Sequence, residues 1–282
     1  MATATVLTSG AVTVVDYRCD AGPGDVPFPE SHDAYTLSYV RRGGFAYASR
    51  GRTFELVAGS FMIGHPGDEY ICSHDHHLHG DECLSFHLTP EAALEVGAGA
   101  DLWRTGGLPP APELAIWAER AQAVVDGRAD GSLEEIALLV SARLAALVAG
   151  NTKASMAPAV THADRRRAVR AAMRIDAGSA AEIPLGEMAR DAGLSTFHFL
   201  RVFSAVLGVT PHQYLVRSRL RKAAKLLADP DIPVTTVAHE AGFADLSNFV
   251  RTFRRAAGMP PRTFRNLGQQ FSPRTRRAPA LR

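Results

Sequence analysis

The stretch ICSHDHHLHGDECLSFHL, residues 71–88, gathers two cysteines and five histidines. Thiolate sulfur and neutral imidazole nitrogen are donors for zinc and copper, provided three or four converge on one point. If 71–76 runs as a strand, Cys72, His74 and His76 share one face by alternation. Gly80 suits a turn. In the return strand Cys83, Ser85 and His87 share one face, while Leu84, Phe86 and Leu88 share the other. Such a hairpin brings Cys72, His74 or His76 toward Cys83, so these four are the candidate ligands for zinc or another transition metal. The spacing matches no standard zinc motif. The same residues also read as solvated histidines at a hairpin tip with simple buried thiols, as an oxidant-sensing thiol pair, or as a hinge. No nucleophile–base–orienter arrangement occurs elsewhere, so no catalytic residue is nominated and the chain is not read as an enzyme.

The elements that hold this stretch follow from pattern. The first ninety residues read as short strands (AYTLSYV, GFAYAS, TFELVAG, SFMIGH, CLSFHL) punctuated by Gly43-Gly44, Gly59, Pro66-Gly67 and Gly80, which suggests a small barrel or sandwich. From about 111 the period becomes helical, in APELAIWAERAQAVV and SLEEIALLVSARLAALVAG. The second of these has an apolar stripe at Leu133, Ile136, Leu139, Val140, Leu144 and Leu147, suited to packing on the barrel or on a second copy of the chain.

Charge divides the chain. Residues 1–160 hold 10 Lys+Arg against 20 Asp+Glu, and residues 161–282 hold 21 against 9. An acidic half joined to a basic half suggests a polyanion partner for the second. No apolar run is long enough to span a bilayer, the N-terminus lacks the form of a signal peptide, and three cysteines make no secreted disulfide framework. The expected location is the cytoplasm, with no membrane partner. The domains expected are 1–150, a linker over 151–163, an α-helical domain over 164–268, and a basic tail over 269–282.

The helical domain contains a repeat. IPLGEMARDAGLSTFHFLRVFSAVLGVTPHQY (183–214) matches IPVTTVAHEAGFADLSNFVRTFRRAAGMPPRTF (232–264), with one extra residue in the second copy after the shared glycine. Ala189 and Ala238 allow close helix crossing. Gly193 and Gly242 suit a left-handed residue that ends a helix before a tight turn. That is helix-turn-helix geometry. In each second helix Phe199, Val202, Phe203 and Val206, or Phe249, Phe253 and Ala256, face the core. Thr196, Phe197, Leu200, Arg201 and Ser204 lie opposite in the first copy, and Leu246, Ser247, Val250, Arg251 and Arg254 in the second. Outward apolar residues make sense against thymine methyls in a major groove, and arginines against guanine edges or phosphates. PHQYLVRSRLRKAAKLLAD reads as one long helix joining the units; recognition helices ~34 Å apart fall in successive major grooves. Its Arg217, Arg219, Arg221, Lys222 and Lys225 give it a basic surface for the DNA backbone.

These residues, from 165 to 266, resemble the AraC/XylS family of bacterial transcription regulators. Ala238, Gly242, Phe243, Phe249, Phe253, Gly258, Pro260-Pro261 and Arg265 match the family signature. The resemblance implies an α+β chain: an N-terminal cupin-like β-barrel with helices, then an all-α domain of two helix-turn-helix subdomains joined by a long helix. It implies a sequence-specific regulator that binds double-stranded promoter or operator DNA, works with RNA polymerase and senses an effector; a homodimer stays open, since the 133–147 stripe suits a second copy as well as the barrel. The implied DNA-reading residues are Thr196, Phe197, Leu200 and Arg201, then Leu246, Ser247, Asn248, Val250 and Arg251. LVAGSFMIGHPGDEY resembles the family's sensory strand pair, with His32 and Tyr47 as effector-pocket candidates. The effector is a small molecule, a metal ion or redox state. Two alternatives stay open: a cupin-type metalloenzyme fused to a DNA-binding module, and a constitutive regulator whose N-terminal half only dimerises. The two-His, Glu, His ligand set of enzymatic cupins is not clearly present.

Overall fold

The structure, a computed structural model, describes residues 2–76, 80–97, 99–150, 160–181 and 183–267. His77 and His79, most of the expected linker and the expected tail lie outside the described residues.

The N-terminal part carries strands β1 (Ala2–Thr8), β2 (Val12–Cys19), β3 (Pro29–Ser31), β4 (Tyr35–Ser49), β5 (Arg52–Val57), β6 (Phe61–Gly64), β7 (Glu69–Ser73) and β8 (Asp81–Leu88). Helices α1 (Pro90–Glu95) and α2 (Ala100–Trp103), strand β9 (Gly107–Leu108), α3 (Pro112–Val125) and α4 (Leu133–Gly150) follow. The strands form antiparallel pairs in the order β1-β2-β8-β4-β6-β9, and β4 also pairs with β5 and with β7, which continues to β3. At 15 residues, β4 serves both layers. Its first part, Tyr35 to Gly43, pairs with β8, and Gly44 to Ser49 pairs with β5. The handover falls at Gly43, whose φ of +68° is open to glycine at little cost.

That shared strand explains why the hairpin expected at 71–88 does not form. β7 and β8 each pair with a different part of β4 and not with one another. β7 also ends at Ser73, so strand alternation stops before His74 and His76. In β8 the alternation holds. Leu84, Phe86 and Leu88 turn to the helix-covered face, while Cys83, Ser85 and His87 line the interior between the layers.

The α4 stripe is used within the chain. Ile136, Val140 and Leu144 are buried, with Leu133, Leu139 and Leu147 packed at their margin.

The C-terminal part is all helical: α5 (His162–Ala177), α6 (Leu185–Asp191), α7 (Thr196–Leu207), α8 (Pro211–Leu227), α9 (Val234–Glu240), α10 (Leu246–Ala257) and α11 (Pro261–Asn266). Local signals set the boundaries. Thr161 and Thr210 close capping boxes with Asp164 and Gln213, and Pro211 occupies the first turn of α8. Two cores result. One, around Val169, Ile175, Phe199, Phe203 and Tyr214, takes in Val57 of β5. The other runs from the barrel's outer face through α3 and α4 to α8, α10 and α11. Among the described residues, no helix is long and apolar enough to cross a membrane.

Candidate nucleic-acid interface and barrel interior

The two helix-turn-helix units follow one plan. In the first, α6 ends before Gly193 (φ +66°), Ser195 caps α7 by accepting from the His198 amide, and Gly208 (φ +68°) closes α7. In the second, Gly242 (φ +92°) follows α9, Asp245 accepts from the Asn248 amide, and Gly258 (φ +82°) closes α10. The extra residue of the second copy lies between Gly242 and its cap. A left-handed residue satisfies orphan carbonyls at a helix end, and a side chain that accepts at the N-cap satisfies an orphan amide.

Burial sorts the helix faces as the periodicity predicts, except that Leu207 is buried where Val206 was expected, and Val206 is half-buried. Phe199, Val202, Phe203 and Leu207 are buried in α7, and Phe249, Phe253, Ala256 and Ala257 in α10. Thr196, Phe197 and Arg201 are exposed, with Leu200 half-buried. Leu246, Ser247 and Arg251 are exposed, with Asn248 and Val250 half-buried. Phe197 is 79% exposed and Leu246 38%, so neither is a core residue. On α10, Leu246, Ser247, Val250, Arg251, Arg254 and Arg255 line one open groove. Asn248 Oδ1 accepts from Arg251 Nη2 and from Thr252 Oγ1, both at 3.3 Å, which steers the guanidinium along the helix. Arg254 belongs to this face by periodicity, and Arg255, one residue on, joins it.

The connecting helix α8 departs from expectation. Its arginines do not form a solvated surface for DNA. Arg221 is buried, pairs with Asp176 at 2.5 Å and donates to the carbonyl of Ala58 in the barrel. Arg217 donates to the Pro110 carbonyl. Arg219 donates to the Ser179 and Ala181 carbonyls at 2.8 and 3.1 Å. Guanidinium groups reach carbonyls at loop ends through several fixed donors, and here Arg217 and Arg221 join the two halves of the chain. A cavity of about 760 Å³ lies along this junction, between the barrel rim and α5 and α8.

Inside the barrel a cavity of about 170 Å³ is lined by, among others, Cys19, His32, Tyr70, Cys72, His74, Asp81, Cys83, Ser85 and His87. His32 is buried, stacks on Tyr70 at 4.3 Å between ring centres, and shares a 2.9 Å hydrogen bond between Nε2 and the Tyr47 hydroxyl. Burial, with the nearby His87, holds the His32 imidazole down to about 4, so it stays neutral. Burial likewise pushes the Tyr47 hydroxyl up to about 12. Tyr47 stands behind His32 and is not part of this cavity's lining.

Of the four residues proposed as metal ligands, Cys72, His74 and Cys83 line this cavity and His76 lies apart. His76 sits by α5, its ring 4.2 Å from that of His162 and its Nε2 4.0 Å from Glu55 of β5. Cys72 and Cys83 both reach the interior from different layers, and burial pushes both thiols up. His74 Nε2 lies 2.8 Å from Asp81 Oδ1, while the Cys83 thiol donates to Asp81 Oδ2 at 3.3 Å. Cys19, His74 and Asp81 present donor atoms all within 4.8 Å of one another. Sequence reasoning missed Cys19 and Asp81 because they meet only through the β2–β8 register, a pairing of distant segments with no local signal.

Residues 188–267 match the family model described as a helix-turn-helix domain. Over 80 residues the chain is 39% identical to a probable transcriptional regulator, LumQ, from Photobacterium leiognathi, covering 28% of this chain and 32% of that one. It is 29% identical over 260 residues to the transcriptional activator RhaS of Klebsiella pneumoniae, covering 84% and 87% of the two. A solved DNA-binding domain of AdpA, a global transcriptional factor, in complex with a target DNA is 25% identical, with a TM-score of 0.36, covering 38% of this chain and 97% of that one. With the first relatives matched, the alignment spans only about a third of their length, 32% and 29%.

Proposed function

We propose that this chain, whose C-terminal part is a double helix-turn-helix domain of the AraC type, is a sequence-specific DNA-binding transcription regulator controlled through its N-terminal barrel. One observation carries the reading: the fold repeats a helix-turn-helix and leaves the same face of each second helix uncovered, apolar and basic where a solvated helix would be merely polar. Thr196, Phe197, Leu200 and Arg201 read one half-site. Leu246, Ser247, Val250 and Arg251 read the other, with Asn248 orienting Arg251. The partners are promoter or operator DNA, RNA polymerase and a second copy of the chain, and the place of work is the bacterial cytoplasm.

Control by an effector has a physical route. α8 joins both units and is fastened to the barrel rim through the Ala58 and Pro110 carbonyls. A ligand that binds one arrangement of that rim more tightly shifts the population of α8 positions. The chain acts by binding and not by turnover. Burial pushes both the Cys72 and Cys83 thiols up, which weighs against oxidant sensing by this pair.

Selection of genomic fragments by the purified protein tests the reading. The expected product is a bipartite site with half-sites about one helical turn, ~10 bp, apart. Retention of random competitor as strongly as any genomic fragment removes it.

A further inference from the structure

We propose that Cys19, His74 and Asp81, with Cys83 as fourth donor, bind a divalent transition-metal ion of zinc's class, and that this ion is an effector of the DNA-binding half; the second clause rests on the regulator reading above. The three mutually close donors come from three elements: the end of β2, the segment after β7, and the start of β8. Cys19 and Asp81 are direct partners in the β2–β8 ladder. Two glycines hold them there. The backbone of Gly80 lies against the Cys19 carbonyl with no room for a Cβ, and Gly43 crosses the Gly80 carbonyl just as closely. Cys83, whose thiol donates to the second Asp81 oxygen at 3.3 Å, stands beside this trio as the remaining donor, for a set of two sulfurs, one nitrogen and one oxygen. That mixture suits zinc or cobalt over the hard cations magnesium and calcium. On binding, each thiol that becomes a ligand releases its proton to solvent.

Position supplies the regulatory step. Cys19 and Asp81 line the barrel interior and also the junction cavity that holds Asp176 and Arg221 of the DNA-binding half. An ion here replaces the His74–Asp81 and Cys83–Asp81 hydrogen bonds and staples the layer of β2 and β8 to the segment leaving β7. It fixes the rim against which α8 is packed.

Cobalt chloride titrated into the reduced full-length protein reads the site directly, as a sulfur-to-cobalt charge-transfer band and a tetrahedral d–d spectrum at one equivalent, both displaced by zinc. Cys19→Ser and Asp81→Asn are expected to weaken cobalt binding by more than the ~10–100-fold typical of losing a supporting partner. Circular dichroism confirms that these variants fold. A charge-transfer band unchanged in Cys19→Ser, or lost only in Cys72→Ser, overturns the site. Affinity for a selected operator, compared with zinc and with chelator, reads the second clause: a shift of fivefold or more, the scale of ordinary allosteric coupling, is expected. Equal affinity in both conditions overturns the effector role. A cobalt spectrum without binding to any DNA means that the regulator reading has failed while the metal site stands.

Discussion

The two helix-turn-helix units share caps, left-handed glycines and core aromatics, yet differ in what they present and in how they are moored. α7 carries a single cation, Arg201, and projects Phe197 into solvent. α10 carries Arg251, Arg254 and Arg255 along one groove. The first unit meets the barrel through a polar knot in which Asp176 accepts from Arg221 at 2.5 Å, from Ser218 at 2.6 Å and from the Tyr214 hydroxyl at 2.6 Å. The second is moored by rings, with Trp117 of α3 edge-on to Phe264 at 5.2 Å and Arg143 of α4 over Trp117 at 5.1 Å. The core fixes a unit's backbone and leaves its outward positions free. Duplication can therefore keep geometry while one copy presents an apolar ring to solvent and the other a row of charge.

The mooring contrast predicts the largest effect. Arg221→Ala removes the buried cation that pairs with Asp176 and leaves the Tyr214 hydroxyl as the donor to the Ala58 carbonyl, and is expected to cost about 3–5 kcal/mol in denaturant unfolding. Hydrogen exchange should place that loss in α5–α8 and leave α9–α11 protected. Equal deprotection of both units would erase the distinction between the moorings.

The barrel interior is a control that belongs to neither unit. His32 has a folded value of about 4 against an ordinary 6.5, so between these values the unfolded chain binds the extra proton. Stability from keeping His32 neutral is therefore full above about pH 6.5 and is lost as pH falls toward 4, on the order of 3 kcal/mol at most. Melting curves across that window should slope in the native chain and flatten in His32→Asn, and a slope of the same size in the variant would assign the loss to other groups.

The reading contrast comes next. Arg251→Ala is expected to weaken the preferred operator by ~1–3 kcal/mol and relax preference at one base pair, whereas Arg254→Ala should weaken all sequences alike and reduce the salt slope by about 1. Matching behaviour in the two variants would make α10 a purely electrostatic contact. The smallest effect belongs to Phe197→Ala. Loss of an exposed ring should leave stability within ~0.5 kcal/mol and cost on the order of 1 kcal/mol at sites with a thymine methyl beneath it, with the salt slope unchanged.

The outward faces of α7 and α10 were legible in the sequence because a helix writes its inward and outward faces into a period of 3.6. Phe199 and Phe203 point inward and Phe197 outward for a reason confined to a dozen residues, and the repeat supplied a second reading of the same pattern. The basic stretch of α8 shows the limit of that logic. Arg217, Arg219 and Arg221 look like a solvated stripe, and what removes them from solvent is the arrival of the Pro110, Ser179, Ala181 and Ala58 carbonyls from other segments. The histidine-rich stretch shows it again. Alternation correctly placed Cys83 and His87 together, but the hairpin failed because β4 offered both strands a better partner.

By itself, then, the sequence determined whatever depends on neighbours in the chain: strand-rich and helix-rich halves, the doubled helix-turn-helix, its glycine turns, and the side chains that the second helix of each unit turns outward. Only the tertiary structure decided which distant strands pair. That choice put Cys19 opposite Asp81, sent His76 to α5, and turned a basic helix into the clasp between the barrel and the helical half. The reason is that sheet register and buried hydrogen bonds are settled by the whole core at once, and no local pattern encodes them.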